Sequence, residues 1–500
     1  MGFSLVDYVV LLAYLAGITA FGTRFRRSQR TVRDYFVGSG TTSWWIIALS
    51  IVATETSTLT LIGVPALVYG AYARPELGGS LTYLQVVLGY LVGRVIICLL
   101  LLPAYFAGEM LTAYSLLDRR FGASAKHAAA SMFLVMRALA EGVRVFAASL
   151  VLGAVLSTSL PGVPHLWLWA IVLVGLLTLV YTFEGGIGAV IWTDVIQFVI
   201  YIGGSLLAGY ELLHLTPGGW PAIAATAGSA GKLQMFSFSW DLRLPFTFWA
   251  GVIGGACLTT ASHGVDQLLV QRLLACRSLR DGRRALLLSG VVVLLQFVLF
   301  LWIGLMLFGY YQTAPLPQLT SNDEIFPAFI VQHLPHGVSG LVIAAIFAAA
   351  MSNLSGSLNS LASTTVIDFY RPLLAPNADD GHLLRVSRWC TAGWGLALIG
   401  IAVVARRWGS VFTSGLTIAS LVYGPMLGAF VLGVTTRRAT QTGVMTGMAI
   451  SLACMLAIKL YTPLAWTWYV LVGATICISV GYVTSFSEGR TFRFGRSGRT

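Results

Sequence analysis

Thirteen apolar runs, each about as long as a membrane-spanning helix, dominate the sequence. A helix needs about 20 apolar residues to cross the hydrocarbon layer of a bilayer. The sequence therefore predicts an all-α polytopic membrane protein with about thirteen transmembrane helices. The predicted spans are residues 4–23, 43–70, 80–107, 126–156, 164–183, 187–212, 246–271, 285–311, 337–366, 386–405, 409–433, 440–459 and 465–483.

Composition excludes the common soluble functions. Charged residues make up 10% of the 500 residues and hydrophobic residues 57%, whereas a soluble domain carries charge on about a quarter of its residues. A soluble enzyme, a nucleic-acid-binding domain and a disordered scaffold are thereby excluded. The seven histidines form no HExxH motif or similar cluster, so we expect neither a membrane enzyme nor an organic cofactor. The lipid bilayer is an expected partner, and no obligatory protein partner is evident.

The distribution of positive charge predicts the orientation in the membrane. Of the 31 lysines and arginines, 22 fall on one side of the predicted spans, 6 on the other and 3 within spans. The side richer in positive charge faces the cytoplasm. We therefore expect a protein of the cytoplasmic membrane with its amino terminus outside and residues 484–500 as a cytoplasmic tail. The net charge of +12 is then a topological signal, and no nucleic-acid partner is expected.

Polar residues interrupt the second predicted span, which carries ATETST at residues 53–58. A continuous helix would turn these side chains, Glu55 among them, in all directions, including toward lipid. A broken helix within a protein bundle costs less, because its freed backbone carbonyls can face an ion. The alternative is a surface of small residues for close helix packing. We favour the break, since packing alone does not need Glu55.

One face of the ninth predicted span carries four polar residues at helical spacing. They are Ser352, Ser355, Asn359 and Ser363. Neutral hydroxyl oxygens are adequate ligands for a monovalent hard cation such as Na⁺. The same residues suit tight helix packing equally well, so the sequence leaves both interpretations open.

Span four holds Arg137, Glu141 and Arg144 along one helical face. Pairing within this triad would lower the cost of burying three charges. Glu141 cannot fully satisfy two guanidinium groups, so one arginine is available to a carboxylate or hydroxyl of a solute. A purely structural triad is the alternative, and both remain open.

Other ionisable residues lie within the spans, where they are expensive and mark either function or pairing. Asp194, near the inner end of span six, is expected to neutralise a cation or to pair with an arginine. We interpret Arg94 as a buried structural charge. His263 and Asp266 lie in the glycine-rich seventh span, which we expect to be interrupted, and His263 is either structural or a solute contact.

Six segments together resemble the sodium:solute symporter family, which includes sodium–glucose, sodium–proline and sodium–sialic acid transporters. They occur in family order over nearly the whole chain, and the last is especially similar to the sialic acid branch. The segments are DYFVGSG at 34–40, ATETSTLTLIGVP at 53–65, TAYSLLDRRFG at 112–122, GGIGAVIWTDVIQ at 185–197, DQLLVQR at 266–272 and AAIFAAAMSNLSGSLNS at 344–360.

The resemblance implies a LeuT-type core of ten helices in two inverted five-helix repeats. In this sequence the first repeat would cover residues 43–212 and the second residues 246–433, within a single transporter domain of residues 1–500. One extra helix at 4–23 would precede the core, and two at 440–483 would follow it.

The resemblance also implies a sodium site between the second and ninth spans. Asn353 stands there where the family usually has serine or threonine, and its amide oxygen can still coordinate Na⁺. A second sodium site of some members is matched by Asp194, Ser352 and Ser355, although Gly356 stands where those members have another serine. The residues that match the main site are Ala53, Thr56, Ala349, Ser352 and Asn353.

A solute cavity beside the second span follows from the same resemblance. Its expected residues are Glu55, Ser57, Thr60 and Arg144, with His263 as a further contact. Arg144 matches the arginine that holds a carboxylate in sialic acid transporters. Glu55 replaces a neutral residue of that branch, so it would either pair with Arg144 or bind a cationic or hydroxyl-rich solute.

These features predict a Na⁺-coupled symporter that imports a small organic solute by alternating access. A sugar, a sialic-acid-like acid, an amino acid and a small carboxylate remain open as solutes. Proton coupling through Glu55 or Asp194 is the alternative. A sensor would need a signalling domain, and only about 17 residues follow the last span. A channel fits interrupted helices and buried charges less well than a binding cavity does.

Overall fold

The computed structural model describes residues 4–25, 31–38, 40, 42–70, 79–108, 110–159, 163, 165–317, 319, 322–405 and 411–495, and all regular secondary structure in these residues is helical. The α-helices are α1 (Leu5–Thr23), α2 (Val32–Phe36), α3 (Trp44–Glu55), α4 (Thr58–Tyr69), α5 (Leu84–Leu100), α6 (Leu102–Phe106), α7 (Ser115–Phe121), α8 (Ala123–Ser159), α9 (Leu166–Leu215), α10 (Gly219–Ser229), α11 (Gly255–Gly264), α12 (Gln267–Leu274), α13 (Leu279–Tyr310), α14 (Ile325–His333), α15 (Val338–Ser363), α16 (Arg371–Leu373), α17 (Asp380–Ala405), α18 (Val411–Thr435), α19 (Gln441–Tyr461) and α20 (Tyr469–Gly495). Segments of π-helix at Ala250–Gly254 and Thr364–Tyr370 and 3-10 turns at Leu81–Tyr83, Asn322–Glu324 and Trp466–Trp468 complete the helical structure.

Nine helices of the described residues are long and apolar enough to cross a membrane, and the bent pair α3 and α4 would make a tenth. The predicted fourth, fifth and seventh spans are not among these nine, and the described part of the fifth is a shorter apolar helix at Leu166–Val180. Helical segments nevertheless occupy all thirteen predicted runs. The multi-pass all-α architecture is confirmed, and the count of thirteen transmembrane helices stays a prediction.

The second predicted span is broken, as its polar run predicts. α3 ends at Glu55 and α4 begins at Thr58, and the two axes are bent by 61°. Thr56 ends α3 with extended backbone dihedrals of φ −82° and ψ 105°. The last four carbonyls of an α-helix have no partner within it, so the break leaves carbonyl groups of α3 for other partners inside the protein.

Gly186 bends α9 where the sequence places the boundary between the fifth and sixth spans. Its φ of 53° and ψ of −156° are non-helical, and glycine reaches positive φ at little cost. The part of α9 that follows carries Asp194, and α9 packs against α15.

The seventh predicted span is also interrupted. α11 ends at Gly264, and Asp266 begins α12 by accepting a hydrogen bond from Leu268 N at 2.9 Å. Upstream, a Cβ atom on Gly93 of α5 would lie 2.6 Å from the carbonyl oxygen of Ala256 in α11. The two helices therefore pack backbone to backbone, which positions the side chains of α5 and α11 around a common site.

α15 lies at the centre of the fold, and its residues 342–363 are all buried. It packs against α1, α3, α8, α9 and α17. At its amino-terminal end, the Asp7 carboxylate of α1 accepts hydrogen bonds from Gly337 N at 2.6 Å, Ser339 Oγ at 2.6 Å and Gly340 N at 2.9 Å. α1 thus holds the amino-terminal end of α15, the helix that carries Ala349, Ser352 and Asn353.

Candidate ion and solute site

A cavity of about 110 Å³ lies beside the break between α3 and α4. The structure brings all five predicted solute residues to its wall: Glu55, Ser57, Thr60, Arg144 and His263. Ser57 begins α4 without capping it through its hydroxyl, so this hydroxyl is not used by the helix end. Sequence reasoning missed other wall residues that carry hydroxyl groups or aromatic rings, namely Tyr83, Tyr90, Thr259, Ser262, Phe297 and Tyr423.

Glu55 pairs with Arg94 and His263 in this cavity. Arg94 NH2 donates a hydrogen bond to Glu55 Oε2, and His263 Nε2 lies 3.2 Å from the same oxygen. Ser262 Oγ lies 2.9 Å from His263 Nδ1 and orients the ring. Arg94 is therefore more than an isolated structural charge, because it compensates a carboxylate of the cavity wall.

Of the two roles considered for Glu55, pairing with Arg144 does not occur in the structure. Close packing of α5 on α11 brings Arg94 and His263 to Glu55 instead. Arg144 NH1 donates to Glu141 Oε2 at 3.2 Å and to Asn353 Oδ1 at 3.3 Å. The buried Nε atom of Arg144 has no hydrogen-bond partner among the described residues.

The expected triad on α8 is only half formed. Glu141 contacts Arg144 and also accepts a hydrogen bond from Ser357 Oγ at 2.8 Å. Arg137 pairs instead with Asp266 at the start of α12, and it donates to Tyr423 Oη at 3.0 Å. The interruption of the seventh span explains the difference, because it exposes the Asp266 carboxylate to the neighbouring arginine.

The predicted sodium residues meet where α15 faces the α3–α4 break. Ala53 and Ser352 are completely buried, and Asn353 is 1% exposed. Asn353 Nδ2 donates a hydrogen bond to the Thr54 carbonyl, which ties α15 to the last turn of α3. The Thr56 hydroxyl donates to Val52 O at 2.8 Å and accepts from Gln296 Nε2 at 2.6 Å, so its carbonyl is the oxygen left for an ion.

Asp194 lies beside this region and is paired with an arginine. Its Oδ1 accepts from Ser352 Oγ at 2.6 Å, and its Oδ2 accepts from Ser50 Oγ at 2.6 Å and from Arg272 NH2 at 2.9 Å. Ser355 Oγ donates to the Ser352 carbonyl at 3.0 Å rather than to Asp194. Of the two roles expected for Asp194, the structure shows pairing with an arginine.

Arg272, one of the 22 positive residues on the inner side of the predicted spans, lies inside the protein rather than in an exposed loop. Its side chain is completely buried at the end of α12. A Cβ atom on Gly356 would lie 2.7 Å from Arg272 NH2, so the glycine at this position makes room for the guanidinium. Gly356, which departs from the serine of members with a second sodium site, is therefore the residue that leaves space for Arg272.

A family model described as the sodium:solute symporter family matches residues 35–451. The chain belongs to this family. It is 30% identical to the sodium/sialic acid symporter SiaT of Proteus mirabilis over 97% of the chain and 95% of that protein. It is 29% identical to the sodium/sialic acid symporter NanT of Aliivibrio fischeri over 97% of the chain and 93% of that protein.

A solved structure agrees with the fold. The substrate-bound, outward-open Na⁺-coupled sialic acid symporter superposes with a TM-score of 0.85 at 28% identity, covering 96% of this chain and 98% of that one. The predicted LeuT-type fold is confirmed. The protein is a multi-pass, Na⁺-coupled solute symporter and not an enzyme. Na⁺ is thus the coupling ion, in preference to the proton considered as the alternative.

Proposed function

We propose that the chain imports a small hydroxylated carboxylate together with one Na⁺ by alternating access, with the solute bound beside the α3–α4 break. The observation that carries the proposal is Arg144, which lines the cavity and whose buried Nε has no partner among the described residues. A buried donor without an acceptor is costly, and a solute carboxylate would supply a bidentate one. The two sialic acid symporters that resemble this chain support this class of solute.

The charges around the cavity are already paired without a solute. A solute carboxylate would add one negative charge, and a Na⁺ ion bound nearby would add one positive charge. At the low effective dielectric of a buried site each added charge favours the other, which gives coupled binding an electrostatic basis. The existing pairs are Glu55–Arg94, Asp266–Arg137 and Glu141–Arg144.

Glu55 has the role of selecting hydroxyl groups. Arg94 compensates its charge, so the cavity does not need a cationic solute. Arg94 and His263 both contact Oε2, which leaves Oε1 to accept a hydrogen bond from the solute. The 15% exposure of the Glu55 side chain is consistent with access from the cavity.

We place the Na⁺ ion between α15 and the α3–α4 break. Carbonyl, hydroxyl and amide oxygens are the ligands that hard cations prefer, and the break supplies carbonyls without helical partners. The proposed ligands are the carbonyls of Ala53, Thr56 and Ala349 and the side-chain oxygens of Ser352 and Asn353.

A single ion per cycle follows from Arg272. Its guanidinium holds the position next to Asp194 that a second cation would need, and Ser50 and Ser352 donate to the same carboxylate. We therefore propose that Asp194 and Ser355 do not form a second sodium site in this chain.

The proposed architecture is two inverted repeats at residues 43–212 and 246–433 within thirteen transmembrane helices, flanked by one helix before and two after. The amino terminus would lie outside and the tail at 484–500 in the cytoplasm. The break in the second span and the interruption in the seventh support this division, because each occurs at the first helix of a repeat. The 22-to-6 division of positive charge supports the orientation.

Thermal unfolding of the purified protein with candidate solutes tests the proposal, since a ligand stabilises the state that it binds. The probes are N-acetylneuraminic acid, gluconate, lactate, glucose and proline, each with Na⁺ or with K⁺. We expect a hydroxylated carboxylate to raise the unfolding temperature in Na⁺ and to have a much smaller effect in K⁺. The same solute should then enter proteoliposomes down an imposed Na⁺ gradient.

Two variants make this screen specific. Arg144→Gln should remove the shift caused by the carboxylate, whereas Arg243→Gln, which changes an exposed arginine far from the cavity wall, should keep it. Stabilisation by glucose or proline that survives Arg144→Gln would contradict the proposed solute class.

A further inference from the structure

Asn353 lies between the residues assigned to the ion and those assigned to the solute. Its Oδ1 accepts a hydrogen bond from Arg144 NH1 at 3.3 Å, and its Nδ2 donates to the Thr54 carbonyl. A guanidinium can only donate and a carbonyl can only accept. These two partners therefore fix the orientation of the amide, with its oxygen toward the solute cavity and its nitrogen toward the α3–α4 break.

A bound Na⁺ ion needs the opposite orientation. The proposed ion lies beside the carbonyls of Ala53 and Thr56, which flank in sequence the Thr54 carbonyl that the amide nitrogen contacts. An amide NH₂ group has no lone pair to offer a hard cation. Rotation of the Asn353 amide by a half-turn would bring Oδ1 to the break without moving the backbone. The same rotation would turn Nδ2 toward Arg144, so that two donors face each other.

We propose that the Asn353 amide couples the two binding events by this rotation. Without Na⁺ its oxygen holds Arg144, and with Na⁺ the oxygen serves the ion and releases Arg144 NH1 to a solute carboxylate. This inference rests on the sodium and solute positions proposed above. Arg144 NH1 then keeps its hydrogen bond to Glu141, and the N–H that it donated to Asn353 becomes available to the solute.

The coupling acts in both directions, because a coupling free energy between two sites is reciprocal. When a solute carboxylate accepts the hydrogen bond of Arg144, Arg144 no longer donates to Asn353 Oδ1. Rotation of the amide toward the ion then costs less free energy, and Na⁺ binds more tightly. A serine or threonine at this position could bind Na⁺ through its hydroxyl, but it has no second group to exchange with the oxygen. Asn353 would thus be a positioning residue that links the ion to the arginine.

A double-mutant cycle read by Na⁺ binding alone tests this proposal. The variants are Arg144→Gln, Asn353→Ser and their combination, with Na⁺ midpoints from thermal-stability titrations in the absence of solute. Arg144→Gln should lower the Na⁺ midpoint about tenfold where Asn353 is present, because it removes the competitor for Oδ1. In the Asn353→Ser background it should lower the midpoint by about twofold, since only the general loss of one nearby positive charge remains. Equal factors in the two backgrounds would overturn the proposal.

Three controls separate this outcome from other failures. Asn353→Thr repeats the cycle with a second hydroxyl residue, in case Asn353→Ser folds poorly. Asn359→Ser changes the same residue type on the same helix where it contacts Gln271 rather than Arg144, and it should leave the effect of Arg144→Gln at about tenfold. Ser352→Ala should raise the Na⁺ midpoint, and an unchanged midpoint would refute the proposed sodium site itself rather than the coupling.

The same variants can be read through solute binding, with N-acetylneuraminic acid as the probe. In the wild type Na⁺ should improve the affinity about tenfold or more, whereas in Asn353→Ser the improvement should be several-fold smaller. The affinity in K⁺ should be higher in Asn353→Ser than in the wild type, since the amide oxygen that accepts from Arg144 NH1 is then gone. A Na⁺ effect of wild-type size in Asn353→Ser would overturn the proposal.

Discussion

Two arginine–carboxylate pairs lie against α15, and they differ in how completely they are satisfied. In the Arg272–Asp194 pair both side chains are completely buried, and Arg272 donates through Nε, NH1 and NH2 to Ser50, Leu268 and Asp194. In the Arg144–Glu141 pair the arginine side chain is 20% exposed, and NH1 is the only nitrogen that donates to a partner among the described residues. The same two chemical groups therefore make a closed structural unit in one place and leave an open binding position in the other.

In this protein a structural arginine and a functional one differ in how many of their nitrogens already donate hydrogen bonds within the protein. In the Arg272–Asp194 pair every guanidinium nitrogen already donates a hydrogen bond, and removing one partner of such a buried pair leaves an uncompensated charge. An unsaturated pair that lines a cavity already bears a cost that a ligand can remove. Burial of charge alone, which is all that the sequence shows, does not distinguish the two.

Of the variants considered, removal of Arg272 should cause the largest loss of stability. Arg272→Met leaves Asp194 buried without its counter-charge, and we expect a loss of about 3–5 kcal/mol in the free energy of unfolding. The measurement is thermal or denaturant unfolding of the detergent-solubilised protein in Na⁺-free buffer. The double variant Asp194→Asn/Arg272→Met should recover most of the loss, and wild-type stability of the single variant would contradict the structural role.

Arg144→Gln should act on binding more than on folding. We expect the affinity for the carboxylate to fall about 10–100-fold, as for the loss of a charged hydrogen-bonding partner. The destabilisation should be smaller than for Arg272→Met, because a glutamine can still donate to Glu141. Isothermal titration gives the affinity. Arg144→Lys should have an intermediate affinity, since lysine keeps the positive charge but cannot form the bidentate hydrogen bonds of a guanidinium. Unchanged affinity in a folded Arg144→Gln protein would remove Arg144 from the solute site.

Gly356→Ser tests whether the glycine exists to admit Arg272. Its Cβ would lie 2.7 Å from Arg272 NH2, and overpacking of this kind costs about 1–3 kcal/mol in the free energy of unfolding. Gly393→Ser is the matched control, because nothing lies within 4 Å of a Cβ there. Equal unfolding temperatures for these two variants would show that the Arg272 guanidinium can shift to accept a side chain at position 356.

Ser355→Ala should have little effect, and this sharpens the proposal of one ion. Its hydroxyl donates to the Ser352 carbonyl and not to Asp194, so we expect the Na⁺ midpoint to stay within about twofold, a change of about 0.4 kcal/mol. Sodium titrations of solute uptake measure it, with Ser352→Ala as the variant that should raise the midpoint. A large shift in Ser355→Ala together with steeply sigmoidal Na⁺ dependence would indicate a second ion.

The sequence predicts the interrupted helices well, because the polar run around Glu55 and the glycines of the seventh span are local signals. The residues expected at the solute cavity through the family resemblance, Glu55, Ser57, Thr60 and Arg144, do line a cavity. The confirmed break between α3 and α4 shows that a polar run without apolar spacers is sufficient evidence for such an interruption in a membrane helix.

The sequence does not predict which buried charged residues pair with each other. Gly93 lets α5 pack closely on α11, where Arg94 lies beside His263 and pairs with Glu55 of α3. Contacts between such distant segments leave no periodic signal in the sequence. Arg272 lies at the end of an apolar run and is indistinguishable there from a loop charge. Likewise, Tyr83 and Phe297 lie in apolar runs where a cavity wall has the same composition as ordinary core.

The buried guanidinium of Arg272 has a consequence for the energetics of transport. If this fixed cation takes the place of a second mobile ion, a cycle that carries one Na⁺ and one carboxylate moves no net charge across the membrane. The membrane potential, worth about 2.3 kcal/mol per elementary charge at 100 mV, then neither drives nor opposes uptake. A potassium diffusion potential imposed on proteoliposomes should leave the initial rate unchanged, and accumulation of the solute should reach no more than the ratio of Na⁺ concentrations on the two sides.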